Sequence, residues 1–376
     1  GIQLPNVAGG SAILDDDVAG IVASYQFNEN VGLTALWARP YNDNWGDKST
    51  RWAGSDTQYA NYHDNMDLFA LMLPLTFDGV KVTPWVMYGM RGENVEVRGE
   101  MQPYPVVAND TAVGNTHKAY GSMFWAGLPI SLTLWDPLNV ELDINYGYVE
   151  AMGRYDVLKR GVESVLGSSK REGWLVKALV EYKMDWGTPG IFGWYASGDD
   201  GNVKNGSERL PSIAGAGNFT SFMGDGNLAW GTGYNFYDNN LTYAGTWGVG
   251  LQIADVSFVE DLKHTFHISL LGGTNDPGIL KKYHERTGEW MAPNNPEGTT
   301  KVGRENLYLT TRDYALEFGL LNEYKIYDNL QVNLEASYIA LWLDKSDDVW
   351  GQSLTGGDHR DIRDAWNVSV LFIYSF

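Results

Sequence analysis

Period-two segments separated by gaps that alternate strictly between short and long constrain this chain more than any other feature. Strand-like runs cover roughly 17–27, 31–39, 65–77, 80–91, 117–134, 140–149, 172–185, 189–197, 243–258, 263–273, 313–326, 331–343 and 364–376. Every other gap is a tight polar turn, "NEN", "DG", "DPLN", "GTP", "EDL" or "YDN", suited to a hairpin. The gaps between those hairpins, at about 41–64, 92–116, 150–171, 199–242, 274–312 and 344–363, are long and rich in Gly, Asp, Asn and Ser. A β-barrel that crosses a membrane produces this rhythm, with short turns on one side and long loops on the other. A soluble sandwich has no reason to gather every long loop at one end.

The expected fold is therefore all-β, a single transmembrane antiparallel β-barrel domain spanning 1–376. Thirteen recognisable strands is an odd number, whereas a closed bacterial barrel usually has an even one. The expectation is sixteen strands in the complete barrel, with eighteen as the alternative and the N-terminal strands missing from this sequence. The opening "GIQLPNVAGG" carries neither the basic nor the apolar part of a signal peptide.

Side-chain phase gives the two faces. In "VELDINYGYV", Val140, Leu142, Ile144, Tyr146 and Tyr148 share one face, and Glu141, Asp143 and Asn145 share the other. In "WLVKALVEYK", the apolar set Trp174, Val176, Ala178, Val180 and Tyr182 opposes Lys177, Glu181 and Lys183. In "VNLEASYIALW", Val332, Leu334, Ala336, Tyr338, Ala340 and Trp342 oppose Asn333, Glu335 and Ser337. Carboxylates on one face predict a wet lumen there, and the apolar face then meets lipid. "DLFALMLPLTF" and "YGSMFWAGLPISLTL" are apolar on both phases. Either an infolded loop covers their inner side or a neighbouring subunit packs outside, and subunit packing is the preferred reading. Pro74 removes a ladder donor or marks an irregularity.

Composition agrees with this picture and removes other classes. Fifteen Trp and 22 Tyr with 44 Gly suit strands that end in interfacial aromatic girdles. A formal net charge of −20 argues against a nucleic-acid partner. There is no cysteine, no His-Glu-x-x-His run and no Gly-x-Ser-x-Gly elbow, so no enzyme activity is expected. His264 and His267 are three apart in one strand and point to opposite faces, which keeps them from sharing a metal.

Charge placement supplies the candidate site. Two segments could fold inward and narrow the lumen: Gly1 to Asp17, ending in Asp15, Asp16 and Asp17, and 41–64, carrying Asp43, Asp47, Lys48, Arg51, Asp56 and Asp64. On the wall, Lys81, Arg91, Lys177 and Lys183 oppose a larger acidic set of Glu141, Asp143, Glu181, Glu317, Glu323 and Glu335. Fixed charges in a narrow aqueous constriction bias ion passage, so mild cation preference is expected. No cofactor is expected beyond a candidate structural calcium at Asp199 and Asp200. The alternatives are a substrate-selective channel with a track of Trp45, Trp52, Trp85 and Trp125, a structural or adhesive barrel plugged by its loops, and a soluble carbohydrate-binding β protein.

The terminal "VLFIYSF", with Phe372, Tyr374 and Phe376 on one phase, is similar to the C-terminal assembly signal of outer-membrane barrels. Together with the hairpin pattern and the opening "GIQLPNVAGG", it makes the chain resemble the homotrimeric outer-membrane porins of sulfate-reducing (Desulfovibrio-type) bacteria, and more distantly the general diffusion porins. The opening is similar to a Gly-Arg-Gln and Pro element that precedes an infolded loop in some porins, with Ile2 here in the Arg position. The resemblance implies a homotrimer in a bacterial outer membrane that passes ions and small hydrophilic solutes without energy input. It also implies contact with outer-membrane lipid and lipopolysaccharide, and recognition by the barrel-assembly machinery.

Overall fold

The computed structural model describes residues 1–42, 65–92, 95, 120–151, 154–158, 164–168, 170–202, 205–215, 219–220, 243–287, 309–351 and 364–375. A small pair, β1 (Ile2–Gln3) and β2 (Asp15–Asp16), precedes the main sheet. The sheet begins with β3 (Ala19–Gln26), β4 (Gly32–Asn42), β5 (Asn65–Met72) continued by β6 (Leu75–Phe77), and β7 (Val80–Val82) continued by β8 (Trp85–Gly92). It goes on through β9 (Tyr120–Trp135) and β10 (Leu138–Val149). After a separate hairpin of β11 (Arg154–Leu158) and β12 (Ser164–Ser168), it resumes with β13 (Arg171–Tyr182), β14 (Thr188–Ala196), β15 (Thr246–Val259) and β16 (Leu262–Gly273). A helix, α1 (Gly278–Thr287), separates these from β17 (Tyr314–Tyr327), β18 (Leu330–Trp342) and β19 (Ala365–Tyr374).

Each wall strand pairs antiparallel with its neighbours in chain order, giving a sequence of thirteen from β3 to β19. Two local sequence choices interrupt the ladder. Prolines cannot donate, and Pro74 and Pro84 split two adjacent strands at matching heights. The breaks are stitched through proline carbonyls instead, with Leu73 N–H donating to Pro84 O at 3.0 Å and Thr83 N–H to Pro129 O at 3.1 Å. At the β15–β16 end a register shift follows Ile253, where Asp255 takes a left-handed φ of 55°.

β3 and β19 are the sheet's two edges, and thirteen antiparallel strands in series make them run in the same direction. They therefore cannot close on each other as an antiparallel seam.

The sheet wraps around chain segments lying against its inner face. Ile2 sits on Gly20 of β3, Pro211 on Gly147 of β10, and Phe219 stacks on Phe192 of β14 at 4.7 Å between ring centres. Outside, the strand phases place a continuous apolar band: Phe69, Ile144, Ile191, Leu251, Phe266, Phe318 and Val370 are all exposed, Leu251 at 58%. Aromatic rings border the band at both ends. Trp174, Tyr195, Trp342 and Trp366 lie toward the long loops, and Trp135, Tyr182, Tyr327 and Tyr374 toward the short turns. Water does not tolerate an apolar surface of this extent, and a bilayer with its two interfaces matches it.

Several local expectations are corrected. The long gap at 150–171 contains the β11–β12 hairpin and that at 274–312 contains α1. The "DPLN" turn shrinks to Asp136 and Pro137, because Leu138 and Asn139 already belong to β10. The strand with apolar residues on both phases is explained from within. Met66, Leu68 and Ala70 of β5 and Met123 and Trp125 of β9 belong to one buried cluster with Leu4, Ile13, Leu210 and Ile213 of the infolded segments. Inner cover accounts for their second apolar face.

Candidate functional site

The interior of the wall is organised by two chain segments that fold into it. The first, residues 1–16, closes as the β1–β2 pair, with Leu4 N–H donating to Leu14 O at 3.1 Å. The second, residues 205–215, runs alongside: Ile213 and Ala214 N–H both donate to Ile13 O at 3.0 Å, and Asp15 N–H donates to Ala214 O at 2.7 Å. Their apolar residues Leu4, Ile13, Leu14, Leu210 and Ile213 are buried against the wall and each other. Backbone groups taken out of water in this way need partners, and the two segments provide them mutually.

Inward-facing wall side chains pin this insert. Lys177 of β13 donates through Nζ to Ala8 O at 3.1 Å and to Gly10 O, pairs with Asp143 of β10 at 3.3 Å, and lies 5.7 Å from the Tyr243 ring centre. Tyr243 in turn donates its hydroxyl to Gly9 O at 2.6 Å. Arg171 donates to the carbonyls of Arg209 and Leu210, Arg209 to Ala244 O, and Trp125 Nε1–H to Pro211 O at 2.9 Å. The loop crosses the wall over two glycines paired across strands, Gly147 and Gly173. A Cβ on Gly173 would stand 2.3 Å from Leu210 N, so only a residue without a side chain permits that approach.

On the short-turn side of the insert lies a cavity of about 430 Å³. Ala8 and Gly9 bound it from the insert, Glu141, Glu181, Gln252 and His267 from the wall, and Phe219 from the second segment. Glu141 accepts from Ala8 N–H at 2.7 Å, and Glu181 accepts from Gln252 Nε2 at 2.9 Å. Asn139 Nδ2 bridges the two carboxylates at 3.2 and 3.3 Å.

The wall charges separate into wet and buried groups. Lys81 keeps its exposure on the inward phase opposite Ser131, Lys183 is exposed in a turn, and Glu323 is half-buried and accepts from Gln331. Asp143, Lys177, Glu317, Glu335 and Arg91 point inward but are buried. Expectation is corrected here: a carboxylate on the inner phase of β10 does not demand water, because Asp143 is covered by the insert and met by Lys177. Asp16 and Asp17 are exposed beside the insert, and Asp15 accepts from Gln3 Nε2 at 2.7 Å. Of the four tryptophans considered for a track, Trp85 and Trp125 are buried in the wall and line none, while Trp45 and Trp52 lie outside the described residues. His267 faces inward, 3.4 Å from Glu317, while His264 faces outward against Asn322.

Asp199 is buried and accepts from Ser207 Oγ at 2.5 Å, whereas Asp200 is exposed and holds Asn202 N–H and Asn205 Nδ2. Their carboxylates serve different local bonds, and among the described residues no three acidic or histidine side chains gather as metal ligands. Asp43, Asp47, Lys48, Arg51, Asp56, Asp64 and Phe376 lie outside the described residues. Sequence reasoning missed Arg171, Arg209, Asn139 and Tyr243. The paired inward glycines Gly147 and Gly173 are the one trace they left in the sequence.

A sequence of antiparallel strands, apolar and girdled outside, with polar groups and an infolded insert inside, is the wall of a transmembrane β-barrel of the outer-membrane class. No family model matches the chain, and no curated protein does. Among solved structures, OccK5 (OpdH) of Pseudomonas aeruginosa is similar at 12% identity, over 98% of this chain and 76% of that one, with a TM-score of 0.40. OccAB1 of Acinetobacter baumannii is similar at 11% identity over 97% and 72%, with a TM-score of 0.45. OmpT, an outer membrane protein of Vibrio cholerae, is similar at 12% identity over 99% and 92%, with a TM-score of 0.34. At these values the assignment of class rests on the sheet itself.

Proposed function

We propose that the chain is a passive channel of the bacterial outer membrane, passing ions and small hydrophilic solutes with a mild preference for cations. The observation that carries this reading is the pair Glu141 and Glu181 on the wall of the interior cavity, with no basic side chain hydrogen-bonded to either among the described residues. Carboxylates in a confined aqueous space concentrate cations and repel anions, and no bond has to be made or broken for solutes to pass. Assembly as a homotrimer in lipopolysaccharide-containing membrane, with the outward Phe372 and Tyr374 of β19 read by the barrel-assembly machinery, belongs to the same proposal. No catalytic step is assigned.

A second reading, a plugged structural barrel, is favoured by one feature: residues 205–215 of the insert are buried along most of their length and hydrogen-bonded to residues 13–15. Planar-bilayer recording with a salt gradient separates the two. Stepwise openings with a reversal potential of cation sign are expected, with steps in threes from a trimer. Silence from folded, inserted protein would establish the plugged barrel instead.

A further inference from the structure

We propose that the interior cavity is a binding subsite for small organic cations carrying primary ammonium groups, short linear diamines above all; this rests on the channel reading above. The recognition chemistry is on the cavity wall. Asn139 Nδ2 ties Glu141 and Glu181 together at 3.2 and 3.3 Å, so two carboxylates on neighbouring strands are held at one fixed spacing. Among the described residues, each hydrogen bond given to them comes from a neutral N–H: the Ala8 backbone, Asn139 and Gln252.

The basic side chains near them make their hydrogen bonds elsewhere. Lys177 makes its direct contacts to Asp143 and to the Ala8 and Gly10 carbonyls and reaches Glu141 only through its charge, while His267 Nε2 is set against Glu317. Among the described residues no basic side chain is hydrogen-bonded to either carboxylate, and a solute with two ammonium groups supplies a direct charged partner at both. A volume of about 430 Å³ admits a short chain with some of its water, within the roughly 300–1,000 Å³ usual for small-molecule pockets. Phe219 and Leu179 give the intervening methylenes an apolar wall. A neutral diol of the same length gains only the weaker half of these contacts.

The test uses 1,4-diaminobutane with 1,4-butanediol as the neutral control, on the full chain. Isothermal titration is done on folded protein in detergent, and block of potassium current is recorded in planar bilayers. Saturable heat and concentration-dependent block by the diamine, with neither from the diol, are expected. Glu181→Gln should raise both the Kd and the half-blocking concentration about tenfold, the worth of one charge-assisted contact. Heat-modifiable migration on gels checks that the variant keeps its fold, and Glu141→Gln provides an independent second variant. Absence of saturable heat, or equal affinity in wild type and both variants, overturns the subsite. Diamine heat without any conductance overturns the channel reading and leaves the subsite standing. Conductance without heat or block does the reverse.

Discussion

Lys177 Nζ and Asp143 Oδ2 face each other at 3.3 Å across β13 and β10, both side chains with essentially no exposure, and the lysine spends its other donors on the insert's carbonyls. This pair is one of the points that join wall and insert, beside Arg171, Trp125 and Glu141. An ion pair taken out of water is costly to break on one side only, because the remaining charge keeps its desolvation penalty and loses its partner.

Lys177→Met should therefore destabilise the protein by about 3–5 kcal/mol. The double variant with Asp143→Leu should lose much less, since neither charge is then left buried. Thermal unfolding in detergent measures the difference. In bilayers Lys177→Met should also give noisier current, because Ala8 and Gly10 lose their tether. A single variant as stable as wild type would show that the insert is held without this pair.

Gly173→Ala puts a methyl group 2.3 Å from Leu210 N, against backbone rather than a movable side-chain tip. Overpacking of this kind costs about 1–3 kcal/mol. The expected reading is a lower unfolding midpoint together with faster proteolysis in residues 205–215, while proteolysis elsewhere is unchanged.

Leu251→Arg tests what the outer band faces. Leu251 is 58% exposed in the middle of β15. On a protein surrounded by water an exposed substitution of this sort stays within about 0.5 kcal/mol. Facing hydrocarbon, an arginine near the midplane costs about 2–4 kcal/mol. Impaired insertion into lipid vesicles with a matching loss of stability is expected; a neutral outcome would return the chain to the soluble class.

Glu208, in the long loop after β14, gives a pH signature. Burial pushes its carboxyl up to about 7, the charges of Asp200 and Asp199 push the same way, and the Asp200 N–H, 3.0 Å from Oε2, pulls against them. A folded pKa above the unfolded value means that the folded state binds more protons between the two. Its stabilising share is thus complete below about 4.5 and is lost as pH rises through about 7. Glu208→Gln should flatten the decline in unfolding temperature across that window and leave the variant more stable than wild type at pH 8.

Much of the wall was legible in the linear chain. Strand phase repeats every two residues, so Val140, Leu142 and Ile144 had to share a face opposite Glu141, Asp143 and Asn145 wherever β10 lay. The hairpins were equally legible, because short polar turns between strands leave the chain no other route. The proline interruptions were half-visible. Pro74 announced an irregularity, but its alignment with Pro84 and Pro129 depends on the pairing of three strands.

The interior was another matter. Alternation reports which face a side chain takes and is silent on what covers that face. Asp143 and Glu141 carry the same charge on the same phase two residues apart, yet one is buried against Lys177 and the other borders the cavity. That division follows from where residues 1–16 and 205–215 come to rest, a matter of hydrogen bonds between segments some two hundred positions apart. Period and turn chemistry are local and can be read along the chain; the path of the insert, and with it which charges meet water, was decided by tertiary contacts alone.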